Sequence, residues 1–446
     1  MPRRTLWIIF AVAVISLACY ERADHNRYGR WFSEVMEAIE HNYVEPVSEQ
    51  DLFEGALNGM VGRLDDYSAF LTRSEAPQFE ESLDGEYGGV GIELALEGQE
   101  KQLTVVSPLM GTPAYKAGIL AGDKIMAIDG RGTQNLALKD IVRLLRGKPG
   151  AEVALSVRRP GREGALDFRL TRARIQTDSV LGDARNPDGS WDFLLPGPER
   201  IGYVRIAAFG KTTVSEFEAA LKWLTERNCQ GVILDMRNNP GGLLNAGEEI
   251  CDLFIPAGAV IVSTRGRDAR ERNRYEATGR GPYQKLPLVV LVNDKSASAA
   301  EIVAACLQDH GRATVVGERT WGKGTVQNVI PLEGGKSLLK LTIASYWRPS
   351  GKNIHRLSSS KEGDEWGVKP DAGCEVKLDE RQRADFVEQA RKLDHAPRVG
   401  TSSVVESAEK TSPPMTRVEV DRQLQRAVEV MREKLAPTPT DKANAG

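Results

Sequence analysis

Short apolar runs that alternate with amphipathic segments limit the fold of this chain more strongly than any other feature, and they begin after Arg174. The runs are rich in valine, leucine and isoleucine, as strands are. They lie at residues 201–206, 231–235, 288–292 and 313–316. The segment after Val214 is helical in pattern, and Thr213 and Glu216 have the spacing of a capping box. This order of strands and helices predicts an α/β domain.

The length and composition of the chain indicate several globular units. Domains commonly contain about 100–150 residues, so 446 residues suggest two or three domains with additional tails. Hydrophobic residues make up 41% and charged residues 27% of the chain, which is typical of a globular protein rather than a disordered or fibrous one. The net charge is −3 and no segment is strongly basic, so a nucleic-acid partner is not expected.

A signal-like segment occupies residues 1–20. Arg3 and Arg4 precede an uncharged apolar run over residues 6–18, which is followed by Cys19. This run is shorter than the roughly 20 apolar residues that span a bilayer unaided. A cleaved signal peptide, an uncleaved membrane anchor and a lipid-modified Cys19 are all compatible with it. We therefore expect export to the periplasmic or cell-envelope side, with the protein anchored to the membrane through this segment.

The other cysteines do not indicate a metal centre or a disulfide framework. Cys229, Cys251, Cys306 and Cys374 are widely spaced and form no CxxC pair, which suits buried apolar positions. No metal and no cofactor are therefore expected.

Two segments before the α/β region differ from it in their pattern of apolar residues. Apolar side chains recur at intervals of three and four between Trp31 and Phe70, which predicts a helical region over residues 28–84. Residues 85–174 contain five or so short β-rich runs and one amphipathic segment at 136–146. This combination describes a small, partly open β-barrel.

The rest of the chain is divided between a core and a C-terminal region. The α/β core is expected over residues 175–378. Residues 379–446 are expected to contain further helices, a linker at 395–414 and a polar tail. A last amphipathic helix is predicted at 418–435, before that tail.

Ser298 stands where a predicted strand gives way to a helix. The strand over residues 288–292 runs into residues 293–301, and an apolar helical pattern follows. The free N–H groups of a helix's first turn, with their positive dipole end, can stabilise an oxyanion beside a serine hydroxyl. Helix capping by Ser296 or Ser298 is the alternative. Both interpretations stay open on this segment alone.

Two glycine-containing segments accompany this junction. Residues 235–242 follow another strand and end in Gly241 and Gly242, whose missing side chains let backbone approach a ligand and present N–H donors. Residues 317–323 match the GxxxxGK spacing of a phosphate-binding loop. Gly324 stands where that loop needs Ser or Thr, and a β-like segment follows, so nucleotide binding is not favoured.

Lys323 is the second residue that indicates chemistry. It is flanked by Gly322 and Gly324, and a lysine buried there would be kept neutral by desolvation and able to accept a proton. A Ser–Lys dyad is therefore the preferred interpretation. A Ser-His-Asp triad that uses His355 is the alternative, because only His310 and His355 lie near the predicted core.

With these motifs the sequence resembles a known family, the C-terminal processing peptidases or tail-specific proteases, from about residue 31 to residue 371. The resemblance rests on residues 64–68 (LDDYS), 88–92 (GGVGI), 235–242 (DMRNNPGG), 296–301 (SASAAE), 322–327 (GKGTVQ) and 367–371 (GVKPD). Trp321 and Ala300 stand where the family commonly has Phe and Ser. The resemblance implies an α/β multidomain protein with a crotonase-like β-β-α peptidase core, an inserted PDZ-like β-barrel and a helical N-terminal region.

The resemblance also implies roles for individual residues. It makes Ser298 the nucleophile, Lys323 the general base and Gln327 the group that orients the lysine. Backbone N–H groups of Gly241, Gly242 and Ala299 would form the oxyanion hole. The chain is then expected to be a serine endopeptidase, with a catalytically silent binding or adaptor protein on the same fold as the alternative.

The PDZ-like module is expected to bind the C-terminus of a protein or peptide substrate. N–H groups of its loop would face the terminal carboxylate while the adjoining strand pairs with the peptide. The loop residues are Gly89, Val90, Gly91 and Ile92. Ile141, Leu144 and Leu145 would shape the pocket, and Arg146 would couple peptide docking to the active site. A homo-oligomer and a regulatory adaptor are further partners that the sequence leaves open.

Overall fold

The computed structural model describes residues 27–97, 101–186, 188–386 and 416–436, with a few positions among the first 16. The predicted signal segment lies mostly outside the described residues, and the predicted linker lies wholly outside them. Among the residues that are described, no helix combines the length and the apolar character needed to cross a membrane. The chain divides into two compact units, residues 1–76 with 327–342, and residues 77–326 with 343–446.

The elements are numbered here in chain order. The helices are α1 (Arg27–Asn42), α2 (Glu49–Val61), α3 (Ala76–Asp84), α4 (Pro113–Ala117), α5 (Leu138–Leu145), α6 (Thr213–Glu226), α7 (Leu244–Asp252), α8 (Ala299–Asp309), α9 (Arg417–Val420) and α10 (Arg422–Leu435). The strands are β1 (Ala69–Leu71), β2 (Glu86–Gly89), β3 (Ile92–Glu97), β4 (Gln102–Pro108), β5 (Lys124–Ile128), β6 (Arg131–Gly132), β7 (Glu152–Arg158), β8 (Ala165–Thr171), β9 (Ala173–Gln176), β10 (Val180–Leu181), β11 (Ala184–Arg185), β12 (Trp191–Asp192), β13 (Ile201–Ile206), β14 (Gly231–Asp235), β15 (Val260–Arg265), β16 (Glu271–Glu276), β17 (Leu288–Val292), β18 (Thr314–Gly317), β19 (Thr325–Leu332) and β20 (Ser337–Trp347).

The first unit contains α1, α2 and a small antiparallel β-structure. β1 pairs with the first half of β20, with Ala69 opposite Lys340. Asp65 fixes the turn before β1, because its carboxylate accepts hydrogen bonds from the N–H groups of Tyr67 and Ser68 at 2.8 and 2.7 Å. The aspartate motif of this region is therefore a hydrogen-bonded turn.

The second unit begins with α3 and a β-rich module. β2 and β9 pair antiparallel where the chain enters and leaves the module, with Glu86 opposite Gln176. Between them, an antiparallel sheet has the order β3-β4-β5-β7-β8, with β6 paired to β5. Aliphatic side chains of these strands, together with Ile141 and Leu145 from α5, form the core of the module.

A five-stranded sheet with the order β10-β13-β14-β17-β18 forms the centre of the second unit. Its last four strands are parallel, whereas β10 is antiparallel to β13. Leu234 and Val290 belong to the core that α6, α7 and α8 cover. Ile233 and Leu291, on the other face, belong to the core that α10 covers. Because both faces are buried, the strands are apolar at nearly every position.

Two local predictions are wrong. Thr213 and Glu216 form no capping box, because the Glu216 carboxylate accepts from the N–H groups of Ser179 and Val180 at 2.8 and 3.0 Å instead. The last helix is not continuous over residues 418–435, because Asp421 leaves the helical conformation and caps α10. In the first place the acidic side chain binds partners that are distant in the sequence, and in the second it caps the helix that follows.

Parallel pairing brings two turns to the same edge of the central sheet. β14 and β17 are neighbours, with Asp235 opposite Leu291, so the segments that follow them lie side by side. Residues 236–242 are called the glycine turn below, and residues 293–298 the serine turn. The carboxyl ends of parallel strands are the usual place for ligands in α/β sheets.

Candidate active site

Hydrogen bonds join the glycine turn to the serine turn. The side chain of Asn293 accepts from the N–H of Asn238 at 2.9 Å and donates to its Oδ1 at 3.0 Å. The N–H of Ala297 donates to the carbonyl of Asn239 at 2.9 Å. A displacement of one turn is therefore transmitted to the other.

Ser296 belongs to this connection. Its side chain is fully buried, donates to the carbonyl of Met236 at 2.8 Å and accepts from the N–H of Asn293 at 2.9 Å. A hydroxyl held in this way stabilises the two turns and is not presented to a substrate.

Ser298 is the N-cap residue of α8, and its backbone is strained, with φ 57° and ψ −118°. Such a conformation in a non-glycine residue costs about 1–3 kcal/mol and is found most often at functional sites. Ser298 keeps 9% of its surface exposed, whereas Ser296 keeps none. Of the two serines, Ser298 is therefore the one that a substrate can reach.

Gly241 and Gly242 provide space that no other residue would leave. A Cβ on Gly241 would lie 2.6 Å from the Cβ of Ser298, and its φ of +95° also favours glycine. A Cβ on Gly242 would lie 2.1 Å from the carbonyl oxygen of Phe209. The missing side chains let the glycine turn pack directly against the nucleophile candidate.

The backbone N–H groups around Ser298 are not equivalent. That of Gly241 donates to Oδ1 of Asn239 at 2.8 Å, so it is already bonded. Those of Gly242 and Ala299 make no hydrogen bond to another described residue. Ala299 also opens α8, whose positive dipole end lies at Ser298. The prediction for Gly241 is therefore corrected, because this residue supplies space rather than a donor.

Glu301 connects Ser298 to the loop that carries Lys323. Its side chain is fully buried and accepts from the N–H of Ser298 at 2.9 Å. It also accepts from the N–H groups of Gly322 and Lys323 at 2.7 and 2.8 Å, and from the hydroxyl of Thr320. Burial raises the pKa of Glu301 to about 7, although these hydrogen bonds favour the charged form. The S-x-x-E spacing of Ser298 and Glu301 is that of a capping box, but no sequence pattern indicated the bonds to Gly322 and Lys323.

Lys323 lies in a loop between two glycines, and the absence of their side chains lets the loop pack closely against the neighbouring chain segment. A Cβ on Gly322 would lie 2.6 Å from the Cβ of Arg356, and one on Gly324 would lie 2.2 Å from the backbone nitrogen of His355. Lys323 itself is half-buried, which is less than the sequence predicted. The loop backbone is fixed, while part of the lysine side chain stays exposed.

Gln327 belongs to the first compact unit, near the start of β19. Its Nε2 donates to Oγ1 of Thr342 at 3.2 Å. Its predicted role in orienting the lysine therefore stays a prediction from the motif.

The two histidines of the alternative triad lie in different places. His310 follows the C-terminal end of α8, about 18 Å along the helix from Ser298, and its Nε2 bonds to the carbonyl of Val260 at 2.7 Å. His355 is half-buried beside Gly324. Distance therefore argues against His310, and a role for His355 is left to mutagenesis.

A groove of about 200 Å³ in the β-rich module is lined by residues of β2, β3 and α5 and by residues that adjoin them. It is lined by Tyr87, Gly89, Val90, Gly91, Ile92, Leu94, Val142, Leu145 and Arg146. The Arg146 guanidinium lies over the Tyr87 ring at 4.6 Å and pairs with Glu81 on α3 at 3.3 Å. The predicted loop and Arg146 thus share one groove.

Two predicted pocket residues do not line this groove. Ile141 is fully buried in the core of the module, and Leu144 packs against that core. Val142 lines the groove instead, because it lies one turn before Leu145 and Arg146 on the same side of α5. The apolar pattern identified the helix but marked its core-facing side.

Within the described ranges, no group of three or more His, Cys, Asp or Glu side chains is arranged to hold a metal ion. Four cysteines are described, all without a disulfide; Cys251, Cys306 and Cys374 are buried, and Cys229 is half-buried.

Comparison with known proteins identifies the family. The model of peptidase family S41 matches residues 200–373, a PDZ-domain model matches 104–159, and the model of the activating protease CtpB N-terminal domain matches 21–74. The carboxy-terminal-processing protease of Bartonella bacilliformis is 37% identical over 356 residues, which cover 79% of this chain and 76% of that protein. The carboxyl-terminal-processing protease of Synechocystis is 34% identical over 342 residues, which cover 76% and 75%.

One solved structure supports the fold. An S41 protease structure from Bacteroides fragilis has a TM-score of 0.50 and 16% identity, and the match covers 91% of this chain and 97% of that chain. The predicted α/β multidomain fold with a PDZ domain is thereby confirmed. The chain belongs to peptidase family S41, and it is a serine protease of the carboxy-terminal-processing group with a PDZ domain.

Proposed function

We propose that Ser298 and Lys323 are the catalytic dyad of this serine protease, and that its PDZ domain binds the C-terminus of the substrate. The buried carboxylate of Glu301 supports the dyad most directly, because it bonds to the backbone N–H groups of both residues. One side chain thereby holds the backbones of the nucleophile and the base together. A cap of α8 would need only the bond to Ser298.

In the proposed mechanism, neutral Lys323 removes the proton from Oγ of Ser298 as that oxygen attacks the scissile carbonyl carbon. The carbonyl oxygen becomes an oxyanion, which accepts hydrogen bonds from the N–H groups of Gly242 and Ala299. When the C–N bond breaks, the lysine gives its proton to the leaving amine. The same lysine then deprotonates the water that hydrolyses the acyl-enzyme. Gln327 is assigned to orient the lysine through its place in the motif.

The groove of the PDZ domain suits the end of a peptide for two reasons. β3 is an edge strand of its sheet, so an extended peptide can pair with it. Arg146 places a positive charge at the groove beside the loop at residues 89–92, where a terminal carboxylate would lie. The ion pair between Arg146 and Glu81 connects the groove to α3, so peptide binding can affect a helix outside the module.

The dyad is tested by digestion of a tagged peptide with four variants of the full-length protein. Ser298→Ala and Lys323→Ala should each lower kcat/KM by several orders of magnitude. Ser296→Ala should cost about 1–3 kcal/mol in stability but less than about tenfold in rate, because it removes a buried hydrogen bond between the turns. His355→Ala should retain most activity. An active Lys323→Ala beside an inactive His355→Ala would replace the dyad with a triad.

Recognition of C-termini is tested by binding assays with a peptide acid and the matching peptide amide. The amide should bind at least about tenfold more weakly, since it lacks the carboxylate charge. Arg146→Ala should reduce this preference. Arg143→Ala is the matched control, because Arg143 is exposed on the same helix and its ion pair among the described residues is with Asp140. Equal affinity for acid and amide would remove carboxylate recognition from the proposal.

Location and assembly complete the proposal. The signal-like segment supports action on the periplasmic or cell-envelope side, which a reporter fusion to residues 1–30 tests. A homo-oligomer and a regulatory adaptor are proposed partners, which light scattering and co-purification test. A protein found only in the cytosol would contradict the first of these proposals.

A further inference from the structure

The glycine turn contains a fully buried arginine. Arg237 follows the end of β14 by two residues, and its side chain is 1% exposed. Arginine does not lose its charge in a protein, so a buried one needs acceptors for five N–H groups and a counter-charge. Its guanidinium also lies 4.3 Å from the ring centre of Phe386.

Acceptors for this guanidinium come from two distant parts of the chain. Nε donates to Asp235 at 3.0 and 3.1 Å, and Nη2 donates to Asp235 at 2.6 Å and to Asp421 at 2.7 Å. Nη1 donates to Asp421 at 2.9 Å and to Oε1 of Gln423 at 3.1 Å. β14 therefore supplies one side of the acceptor set, and the C-terminal helix supplies the other.

The C-terminal helix holds Asp421 firmly in place. Asp421 is the N-cap of α10, and its Oδ1 also accepts from the N–H groups of Gln423 and Leu424 at 3.1 and 3.0 Å. The buried side of α10, which includes Met431, belongs to the same core as Ile233 of β14. The helix thus lies across the sheet and presents a carboxylate to Arg237.

The position of Arg237 is transmitted to the active site through its neighbours. The carbonyl of Met236 accepts from Ser296, and the N–H of Asn238 donates to Asn293. Gly242, the proposed oxyanion donor, ends the same turn. A guanidinium that shifts toward Asp235 alone would move these bonds with it.

We propose that Asp421 is a positioning residue for proteolysis. By completing the acceptor set of Arg237, it sets the glycine turn so that the N–H of Gly242 faces the oxyanion. The C-terminal helix is then part of the catalytic assembly and not only a cover for the sheet. This inference rests on the proposed dyad and oxyanion donors.

Asp421→Asn in the full-length protein separates charge from capping, because Asn caps a helix as well as Asp does. We expect kcat to fall by about 10- to 100-fold, with KM nearly unchanged, since the loss acts on oxyanion stabilisation. Labelling of Ser298 by a fluorophosphonate should slow in parallel. Glu429→Gln is the control, because Glu429 is 57% exposed on the same helix. It should leave kcat and labelling unchanged.

A double variant that moves the negative charge from residue 421 to residue 423 provides the decisive test. Asp421→Asn/Gln423→Glu returns the negative charge to a neighbour that already contacts Arg237, and it should regain most of the lost kcat. Unchanged kcat per folded molecule in Asp421→Asn, or no rescue in a folded double variant, would overturn the proposal. If both variants unfold, Asp421→Ser decides, because serine also caps a helix and an unchanged kcat there overturns the proposal. Activity in Ser298→Ala would instead refute the dyad.

Discussion

Two carboxylates that are buried equally deeply, one beside each turn of the active site, have pKa values that shift in opposite directions. Asp235 precedes the glycine turn and Glu301 follows the serine turn, and both are fully buried. Burial raises the pKa of Asp235, but the charge of Arg237 and the hydrogen bonds from Arg237 and Tyr203 together outweigh it, so the net shift is downward. Among the described residues, the bonds to Glu301 come from N–H groups and a hydroxyl, which carry no full charge, and burial raises its pKa to about 7.

This difference shows that the two turns are held by different physical means. The glycine turn depends on a charge network that includes Asp421, 184 positions away from Arg237 in the chain. The serine turn depends on Glu301, which lies three positions from Ser298. The first turn should therefore respond to changes in a remote helix, and the second to pH near neutrality.

The largest effect is expected from Gly241→Ala. The added Cβ would lie 2.6 Å from the Cβ of Ser298 and 3.0 Å from the nitrogen of Ala299, so both turns would have to separate. We expect kcat/KM to fall by at least about 10³-fold, since an oxyanion donor and the nucleophile move together. Gly247→Ala on α7 is the control, because its Cβ would meet Val303 at an ordinary 3.5 Å. Similar activities for the two variants would contradict the close packing.

Arg237→Met tests, through the stability of the protein, whether the charge network around Arg237 holds the glycine turn. Without the guanidinium, Asp235 and Asp421 would be left buried and uncompensated, so the free energy of unfolding should fall by about 3–5 kcal/mol. Urea denaturation measures this change. Arg426→Met is the control, since its pair with Glu429 is exposed and contributes about 0–1 kcal/mol. Equal losses would mean that the buried network is not what holds the glycine turn.

Glu301→Gln tests the serine turn, which Glu301 holds through hydrogen bonds from N–H groups and a hydroxyl. A glutamine keeps one acceptor oxygen, but its amide group would face N–H donors, so bonds to Ser298, Gly322 or Lys323 would be lost. We expect kcat to fall by about 100-fold, because the dyad is no longer held in register. Asp309→Asn, at the opposite end of α8, is the control; its pair with Arg348 at 2.6 Å is distant from Ser298. If the control lost as much activity, the effect would belong to helix stability.

The sequence predicted the features of the site that depend on local order. Alternating apolar runs identified the central sheet, and each turn follows its own strand directly. Ser298 and Lys323 were singled out by neighbouring residues of the same segment. Ser296 could not be separated from Ser298 on sequence, because the difference lies in a bond from Ser296 to Met236 in another turn.

The features that the sequence did not predict depend on which side of a helix a residue occupies, or on contacts between residues far apart in the chain. Ile141 and Val142 are adjacent in α5, yet one faces the core and the other the groove, since each helical position turns by about 100°. Asp421 was placed inside a continuous helix, although it caps α10 and binds Arg237. No spacing rule connects Asp421 to the glycine turn, because only the packing of α10 on the sheet brings them together.

The smallest effect is a pH dependence of stability that distinguishes the two carboxylates. Because the pKa of folded Glu301 is raised to about 7, the folded state keeps its proton after the unfolded chain has lost it. The free energy of unfolding should therefore fall by about 2 kcal/mol between pH 5 and 7 and then level off. Asp235 acts in the opposite sense, since its pKa is lowered and its contribution is lost only in acid.

Urea denaturation of the wild type and of Glu301→Gln at several pH values isolates this contribution. The wild type should lose stability relative to the variant as the pH rises from 5 to 7, because the variant has no proton to release at this position. Parallel curves would show that Glu301 is already ionised at pH 5. Its hydrogen bonds would then outweigh its burial, and the serine turn would be held by a permanent charge, as the glycine turn is.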